Sequence, residues 1–260
     1  MLSYQHGYHA GNMADVHKHA LLAWMLDYMT RKPKPLSYLE THAGRALYDL
    51  DSAEARKTGE AARGIALAKG WFSADHPYAR ALASVQAAHG PRAYPGSPLI
   101  AQQTLRFEDT ITLAELHPAE AAALRAALPG VTVTRSDGFA AALSRCPPDP
   151  RRGLLLCDPS WEVKSDYETV PEFLSKLHRK WPVGVLALWF PVLSDAPHRP
   201  MLRRLHRQFP DAISHTIAFP PARPGHGMTG SGLFVVNPPF GFEDQANWLS
   251  ERFATLCTQP

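Results

Sequence analysis

The sequence predicts an α/β fold with a mostly parallel sheet, an antiparallel strand at its edge and a small helical insertion. From Tyr94 onward, short apolar runs alternate with helical patterns, as in GLLLC followed by TVPEFLSKLHRKW. Two further apolar runs, SHTIAFP and GLFVVNPPF, close the pattern without a helical pattern between them. Alternation of this kind is typical of parallel strands covered by helices on both faces, and the closing pair indicates a hairpin.

Length and composition agree with one large domain that carries an insert. The chain has 260 residues, of which 45% are hydrophobic, enough to fill a core. Its net charge is only +3, so affinity for nucleic acid has to come from a local patch. Three widely spaced cysteines predict reduced thiols. With no signal peptide and no apolar run of about 20 residues, we expect a cytoplasmic protein without a membrane partner.

The first part of the chain predicts a helix, a strand and then the insertion. Asn12 is a candidate N-cap with an acid three residues later, and the helix it starts continues to the breaker Pro33. The run PLSYLETH predicts the first strand, which ends at Ala43-Gly44. Residues 49–95 show helical patterns and no convincing strand. We therefore predict a core formed by residues 1–48 and 96–260, and a helical insertion at 49–95.

The remainder of the chain predicts a regular succession of helices and strands. In order, these are the helix PLIAQQTLR, the strand TITLAELH, the helix PAEAAALRAAL, the strand VTVTRSDGF, the short helix AAALSRC, the strand GLLLCDPSW, the helix TVPEFLSKLHRKW, the strand GVLALWFPVL, the helix HRPMLRRLHRQF and the final pair of strands.

Acidic residues stand at the carboxyl ends of three predicted strands, where ligands bind in such sheets. These are Glu115, Asp137 and Asp158. A cofactor with a ribose and an adenine needs carboxylate acceptors of this kind, although each acid could equally cap the helix that follows it. The loop Ala43-Gly44 lacks the remaining glycines of a nicotinamide-binding turn, which disfavours a dehydrogenase.

Two loops have the composition of a site that holds an exocyclic amine, DPSW at 158–161 and NPPF at 237–240. The loop NPPF matches the usual sequence of such sites better, but it follows the last predicted strand. Asp158 instead ends the fourth strand, next to the point where the strand order reverses. We therefore predict that Asp158 is the acceptor and that Asn237 begins a strand-terminating turn with an edge-protecting role.

Histidines are frequent near the amino terminus, but their spacing does not favour a metal site. His17 and His19 are two residues apart, so on a helix they point in different directions. Tyr4, His6 and Lys18 instead predict a polar and aromatic surface for a base or a phosphate; the alternative is a solvated terminus that packs locally.

With these residues in place, the sequence closely resembles the RlmJ family of bacterial 23S ribosomal RNA adenine-N6 methyltransferases, which use S-adenosylmethionine. The likeness extends in register over nearly the whole chain. It is carried by LSYQHGYHAGNMADVHKH, LETHAGRALY, YPGSPLIA, AELHP, SDGF, RRGLLLCDPSWEVKSDY, LWFPV and GMTGSGLFVVNPP.

The resemblance implies a class I (Rossmann-like) methyltransferase sheet with a small helical insertion. It also implies the adenine at position 2030 of 23S RNA as the target, protein-free RNA as a sufficient substrate and Asp158 as the catalytic acceptor. We further expect a monomer without a metal. The implied contacts to S-adenosylmethionine are His19, His42, Ser97, Glu115, Asp137, Gly138 and Asp158, and the implied contacts to RNA are Tyr4, His6 and Lys18.

Two departures from the family pattern affect the site. Arg45 and Ala46 stand in the loop that the family writes THAGAG, so Arg45 has to point outward or contact a carboxylate or phosphate. Ser160 and Trp161 stand where the family has Pro-Tyr. We predict that Asp158 and the Pro159 carbonyl hold the adenine amine and that Trp161 stacks on the base, so that activity is retuned and not abolished. The alternatives are a non-catalytic protein that binds cofactor and RNA, and a DNA adenine methyltransferase.

Overall fold

A computed structural model of the chain describes residues 5–220 and 227–257. Its strands are β1 (Ser37–Glu40), β2 (Leu47–Asp49), β3 (Ala93–Pro95), β4 (Thr110–Ala114), β5 (Thr132–Thr134), β6 (Gly153–Cys157), β7 (Val185–Leu193), β8 (Ile213–Ala218) and β9 (Met228–Val236). Its helices are α1 (Met13–Thr30), α2 (Ala53–Thr58), α3 (Glu60–Arg63), α4 (Ile65–Ala68), α5 (Pro77–His89), α6 (Ser97–Thr104), α7 (Pro118–Ala127), α8 (Gly138–Arg145), α9 (Asp166–Lys180), α10 (His198–Gln208) and α11 (Phe242–Cys257).

Seven strands form the main sheet in the order β5-β4-β1-β6-β7-β9-β8. β9 runs antiparallel to both of its neighbours, and the other described pairings are parallel. The predicted α/β class, with a mostly parallel sheet and an antiparallel pair at one edge, is confirmed. The strand order reverses between β1 and β6, as the sequence argument for Asp158 required.

The sheet separates two apolar cores because alternate residues of its strands point to opposite faces. Leu154 and Leu156 of β6 belong to a core shared with α1, α6, α7 and α11. Leu155 and Cys157 belong to a second core shared with α8, α9 and α10. Helices therefore cover both faces of the sheet.

Helix α1 is buried around most of its circumference. Asn12 caps it, accepting a hydrogen bond from the Asp15 backbone N–H, as predicted from the spacing. The helix packs against α6, α5, β9 and α11. Because it is enclosed in this way, its polar residues Asp15, His17, Lys18 and His19 lie inside the protein and need partners there.

The segment between β2 and β3 is helical, as predicted, but β2 and β3 themselves form a small antiparallel sheet that the prediction missed. Each strand has three residues, too few to show a period of two. The helical segment packs on the body of the protein, with the rings of Trp71 and Phe253 5.0 Å apart. Its description as an insertion subdomain stays a prediction.

Helix α11 was also missed, although its sequence carries a signal. Phe242, Ala246, Leu249 and Phe253 recur at helical spacing, and all four are buried. Within the described ranges, no helix combines the length and hydropathy that a bilayer crossing requires.

Asn237 follows β9 in a left-handed turn with φ of 53°. Its side-chain amide donates hydrogen bonds to the Pro182 and Gly184 carbonyls. Because β9 is reversed, this turn lies at the amino ends of the parallel strands, opposite Asp158. The expected strand-terminating turn is thus observed, but its edge-protecting role is not, because β8 and not β9 forms the edge.

Candidate active site

A cleft of about 1090 Å³ opens at the carboxyl ends of the parallel strands. Its walls include the three predicted acids, Glu115 after β4, Asp137 after β5 and Asp158 after β6. His6 and Lys18, from the amino-terminal part of the chain, line the same cleft. Residues predicted from separate motifs therefore meet at one place, while Tyr4 lies outside the described residues.

Asp158 is bound by a lysine from the first helix. The Lys18 Nζ atom donates a hydrogen bond to the Asp158 Oδ2 atom over 2.6 Å. The Asp158 Oδ1 atom accepts no hydrogen bond from the described residues, and 14% of the side chain is exposed. One carboxylate oxygen is thus held by the protein, and the other is available to a ligand in the cleft.

Lys18 is enclosed by acceptors and an aromatic face. Its Nζ atom also lies 3.3 Å from the Asp15 Oδ1 atom and 5.5 Å from the ring centre of Trp189. Burial lowers the pKa of Lys18, but the carboxylates of Asp158 and Asp15 raise it by more, so the net pKa is above the usual value. The ammonium group therefore stays charged.

Asp15 organises the amino-terminal residues beneath the cleft. Its Oδ2 atom accepts hydrogen bonds from the His6 ring and from the Gly11 backbone N–H, both over 2.9 Å. Burial raises the pKa of Asp15, but His6, His19 and Lys18 together bring it well below its usual value. From the sequence this acid was predicted only as a helix-start signal, although its spacing to Lys18 and His19, three and four residues later on a helix, indicated contacts with them.

His17 and His19 point in different directions, as their spacing predicts. The His17 Nδ1 atom lies 2.8 Å from the Ser231 hydroxyl, which also accepts a hydrogen bond from the Trp189 indole over 2.9 Å. The His19 Nδ1 atom lies 2.9 Å from the Tyr94 hydroxyl. Burial lowers the pKa of His19 to about 3, so its ring is neutral. No group of three metal-binding side chains occurs among the residues that the structure describes.

Glu40, at the end of β1, is a second buried acid, for which the sequence predicted no role. It accepts hydrogen bonds from the Ser97 hydroxyl and, over 2.9 Å, from the Tyr38 hydroxyl. Burial raises its pKa to about 8, and the two hydroxyl donors oppose that rise. The hydroxyl of Ser97, which the resemblance assigns to the cofactor, is therefore engaged by the protein itself.

The acids at the ends of β4 and β5 each bind backbone N–H groups. Glu115 accepts from Gly44 over 2.8 Å and from His117 over 2.7 Å. Asp137 caps α8 by accepting from the Ala140 backbone N–H over 2.7 Å. Capping and ligand contact are compatible here, since each carboxylate retains further lone pairs.

Gly138 allows α8 to approach β1 closely. A Cβ atom at this position would lie 1.9 Å from the Thr41 carbonyl oxygen, a distance that no side chain tolerates. His42 lies beside this contact, with its Nδ1 atom 2.7 Å from the Thr41 hydroxyl. Burial lowers the pKa of His42 to about 4, so this ring is neutral as well.

This part of the cleft suits S-adenosylmethionine. Carboxylates after β4 and β5 match the hydroxyl and amine donors of a nucleoside. Two histidines that line the cleft, His19 and His42, are neutral and do not oppose the positive charge of a sulfonium. The residues present thus fit the cofactor that the family resemblance implies.

The two departures from the family pattern have different structural outcomes. Arg45 contacts a carboxylate, as expected, with two hydrogen bonds to Glu120 over 2.9 and 2.6 Å. Ala46 has a φ of 67°, in the region that favours glycine. Trp161 has a φ of 59° and packs on Tyr167 with 4.6 Å between ring centres. Its ring lines the cleft but is only 7% exposed, so base stacking by Trp161 stays a prediction.

The chain is similar to known proteins over most of its length. Residues 33–259 match the model of a family described as "Ribosomal RNA large subunit methyltransferase D, RlmJ". A protein named Ribosomal RNA large subunit methyltransferase J from Escherichia coli (strain K12) is 37% identical over 99% of this chain and 96% of its own length. A protein of the same name from Haemophilus influenzae is 36% identical over 94% of this chain and 90% of its own length. A crystal structure of a Legionella pneumophila protein superimposes with a TM-score of 0.86 at 34% identity, covering 95% of this chain and 94% of that one.

Proposed function

The chain belongs to the RlmJ family of ribosomal RNA large subunit methyltransferases, and we propose that it transfers a methyl group to the exocyclic amine of an adenine in 23S RNA. S-adenosylmethionine is the cofactor, and it supplies an electrophilic methyl group when bound. The observation that carries the proposal is the arrangement of Asp158, at the end of β6, with one oxygen held by Lys18 and the other facing the cleft.

Asp158 and Pro159 hold the adenine amine in this proposal. The amine is a poor nucleophile because its lone pair is delocalised into the ring. The Asp158 Oδ1 atom accepts one N–H and the Pro159 carbonyl accepts the other, which favours a pyramidal nitrogen. When a carbon–nitrogen bond would form and the sulfur–methyl bond of the sulfonium would break, with its electron pair left on sulfur, the nitrogen would become positive and release one proton to Asp158 Oδ1, from which water would remove it.

Lys18 positions Asp158 for this step. Its ammonium fixes the Oδ2 atom, so the carboxylate cannot rotate freely and presents Oδ1 to the amine. The Asp15 carboxylate and the Trp189 ring fix the ammonium in turn. Lys18 therefore acts through Asp158 in this proposal, and His6 acts through Asp15. Direct contacts of His6 and Lys18 with RNA, which the resemblance implies, are compatible with their place at the cleft; the same contact implied for Tyr4 stays a proposal from the resemblance alone.

The cofactor is held by residues from three strand ends. Glu115 and Asp137 accept from its ribose and adenine groups, and Gly138 keeps α8 close to β1 beside them. His42 and His19, both neutral, form walls that tolerate the positive sulfonium. Ser97 contributes through Glu40, which its hydroxyl binds. Trp161 provides an aromatic face for the target base once that base has left its stack.

The finer description of the substrate is also a proposal. We propose the adenine at position 2030 in the usual 23S numbering, presented on RNA free of ribosomal proteins. We propose further that the protein acts as a monomer in the cytoplasm and without a metal. The coarser statement, a methyltransferase of ribosomal RNA, follows from the family.

Incubation with tritiated S-adenosylmethionine and undermodified 23S RNA tests the proposal. We expect label in the RNA at a single adenine with the parent protein, and a loss of at least about 100-fold with Asp158→Ala. Asp211→Ala, which removes an exposed acid remote from the cleft, is the matched control and should label normally. Cofactor binding without labelled RNA would identify a non-catalytic binding protein, and faster labelling of duplex DNA would identify a DNA methyltransferase.

A further inference from the structure

A stripe of three arginines runs along the outer face of α10. Arg199, Arg203 and Arg207 are all exposed, and each lies four positions after the one before. At 100° per residue they lie within one narrow sector, opposite the buried Met201 and Leu205. With about 1.5 Å of rise per residue, the stripe is about 12 Å long.

No carboxylate of the described ranges forms an ion pair with the arginines of this stripe. The helix contains no acidic residue, and the three arginine side chains make no hydrogen bond or ion pair to other described residues. The neighbouring Arg204 differs, since it binds Glu172 over 3.0 Å. The carboxylate of α9 that hydrogen-bonds to this helix in the described ranges is therefore already engaged by an arginine outside the stripe.

The stripe begins beside the cleft. Pro191 and Leu193 at the end of β7 line the cleft, and α10 starts at His198, five residues beyond Leu193. The His198 ring stacks on Phe190 of β7 at 5.8 Å, which fixes the start of the helix at the sheet. β7 and β8 are parallel to each other, since both pair antiparallel with β9. The connecting helix therefore runs from the cleft down the flank of the protein.

The chemistry of this surface suits a polyanion better than a protein partner. An arginine offers a planar fork of donors that matches a phosphate. Protein interfaces have an apolar or aromatic centre, whereas the exposed large hydrophobic residues of the described chain are Leu67, Phe107, Leu116, Val163, Val183 and Phe240, none of them on α10. The net charge of only +3 means that local features of this kind have to supply affinity for RNA.

We propose that Arg199, Arg203 and Arg207 form a second contact surface for the substrate RNA, where they bind backbone phosphates outside the cleft. The inference rests on the proposed function, since it assumes an RNA whose target base occupies the cleft. The stripe then binds the single-stranded or double-helical RNA that continues past the target nucleotide. It sets affinity and orientation and does not take part in the methyl transfer.

The test compares Arg203→Ala/Arg207→Ala with a control of equal charge change, Arg125→Ala/Arg252→Ala, whose arginines lie on α7 and α11. We measure kcat and KM on a long 23S fragment and on a short oligonucleotide that carries only the target region. Removing two phosphate contacts should weaken binding of the long RNA about 25-fold in 0.1 M salt and reduce the slope of log K against log salt by about 1.4. The kcat value at saturating RNA and the KM for the short oligonucleotide should stay unchanged.

Several outcomes would overturn the inference: an unchanged KM and salt slope, an equal effect of the control pair, or an equal loss with the short oligonucleotide. Because the arginine side chains of the stripe make no hydrogen bond or ion pair to other described residues, the variants should keep the parent's unfolding temperature and cofactor affinity. Arg199→Ala, next to the cleft, is an independent test, and it should weaken binding of the long RNA about fivefold. If the parent protein labels RNA and the stripe variant matches it, the inference fails and the proposed function stands. If the parent binds RNA but does not label it, the proposed function fails. The salt slopes of parent and variant then still show whether the stripe binds RNA phosphates.

Discussion

The ammonium nitrogen of Lys18 lies 2.6 Å from the Oδ2 atom of Asp158, although 140 positions separate the two residues in the chain. The first helix of the protein thereby holds the acceptor that follows the fourth strand of the main sheet. The pair is largely buried, with 6% and 14% of the two side chains exposed. An ion pair with so little solvent around it restricts the orientation of both groups.

Replacing Lys18 by methionine should lower kcat about 100-fold and leave KM for RNA and affinity for the cofactor within about threefold. The reason is that the Asp158 carboxylate loses the contact that orients it, while the walls of the cleft remain. Methylation rates under saturating RNA, together with cofactor titration, measure the two effects. Because the variant leaves Asp15 and Asp158 without their cation, it should also lose about 3 kcal/mol of stability, so the assay is run well below its unfolding temperature.

Lys69→Met is the control for this substitution, since Lys69 is exposed and contacts only Gln86 in the described structure. It should behave as the parent. A large rise in KM for RNA with an unchanged kcat in Lys18→Met would show instead that Lys18 contacts the substrate and does not position Asp158.

Glu40 should make stability depend on pH. Burial raises its pKa from an ordinary 4.5 to about 8, so the folded state binds more protons than the unfolded state between these values. The free energy of unfolding therefore falls as pH rises through this window, by about 3–5 kcal/mol from this residue alone. Glu40→Gln resembles the protonated form and removes this contribution. At pH 8.5 and above, the variant should be more stable than the parent.

Denaturant unfolding at pH 5, 6.5 and 8.5 measures this difference, with Glu251→Gln on α11 as an exposed control. The difference between Glu40→Gln and the parent should grow with pH, while the control should follow the parent. A constant difference across the three pH values would contradict a raised pKa at Glu40.

Gly138→Ala should destabilise the protein by about 3 kcal/mol or prevent folding, because its Cβ atom would overlap the Thr41 carbonyl at 1.9 Å. Any fold that survives must move α8 away from β1, and Asp137 moves with it. Cofactor affinity should then fall together with stability. Gly70→Ala is the comparison, since no atom lies within 4 Å of the added carbon there, and it should be neutral in thermal unfolding.

Arg45 and Glu120 should show a coupling energy of about 1 kcal/mol or more in a double-mutant cycle of unfolding. Their two hydrogen bonds form a fork, and the Glu120 side chain is only 8% exposed, whereas the Arg45 side chain is 36% exposed. Arg45→Met should cost more than Arg45→Met combined with Glu120→Gln, because the single variant leaves a buried carboxylate alone. Cofactor affinity should be unchanged in both variants, and a large loss would mean that Arg45 acts at the cofactor itself.

The sequence predicted the sheet and the edge at which the cleft opens, because both depend on local patterns and on the rule that ligands bind at strand ends. Glu115, Asp137 and Asp158 meet in the cleft for this reason. The contact between Lys18 and Asp158 could not be predicted, since a contact across 140 residues leaves no trace in spacing. The spacing of Asp15 and Lys18, three residues apart on a helix, was visible. No role was predicted for Glu40, because the sequence does not show that the hydroxyls of Tyr38 and Ser97 bind its carboxylate inside the protein.

The conformation of Trp161 could not be foreseen either. Its left-handed φ belongs to a bulky residue for which that region is unfavourable, so only the surrounding packing can impose it. The strands β2 and β3 were not predicted because they are too short to show a period of two. Helix α11 was not predicted either, although the helical spacing of its apolar residues was visible.

The burial of α1 has a consequence for biosynthesis. His17 of this helix contacts Ser231 of β9, 214 positions later, and Lys18 is its immediate neighbour. A chain that leaves the ribosome amino terminus first cannot complete the surroundings of α1 until β9 has been synthesised and has emerged. Translation of nearly the whole chain therefore precedes the first moment at which the helix that carries Lys18 is enclosed on its β9 side. A chain that ended before β9 would carry every acid of the first four strands of the main sheet and would still lack a strand against which this helix packs.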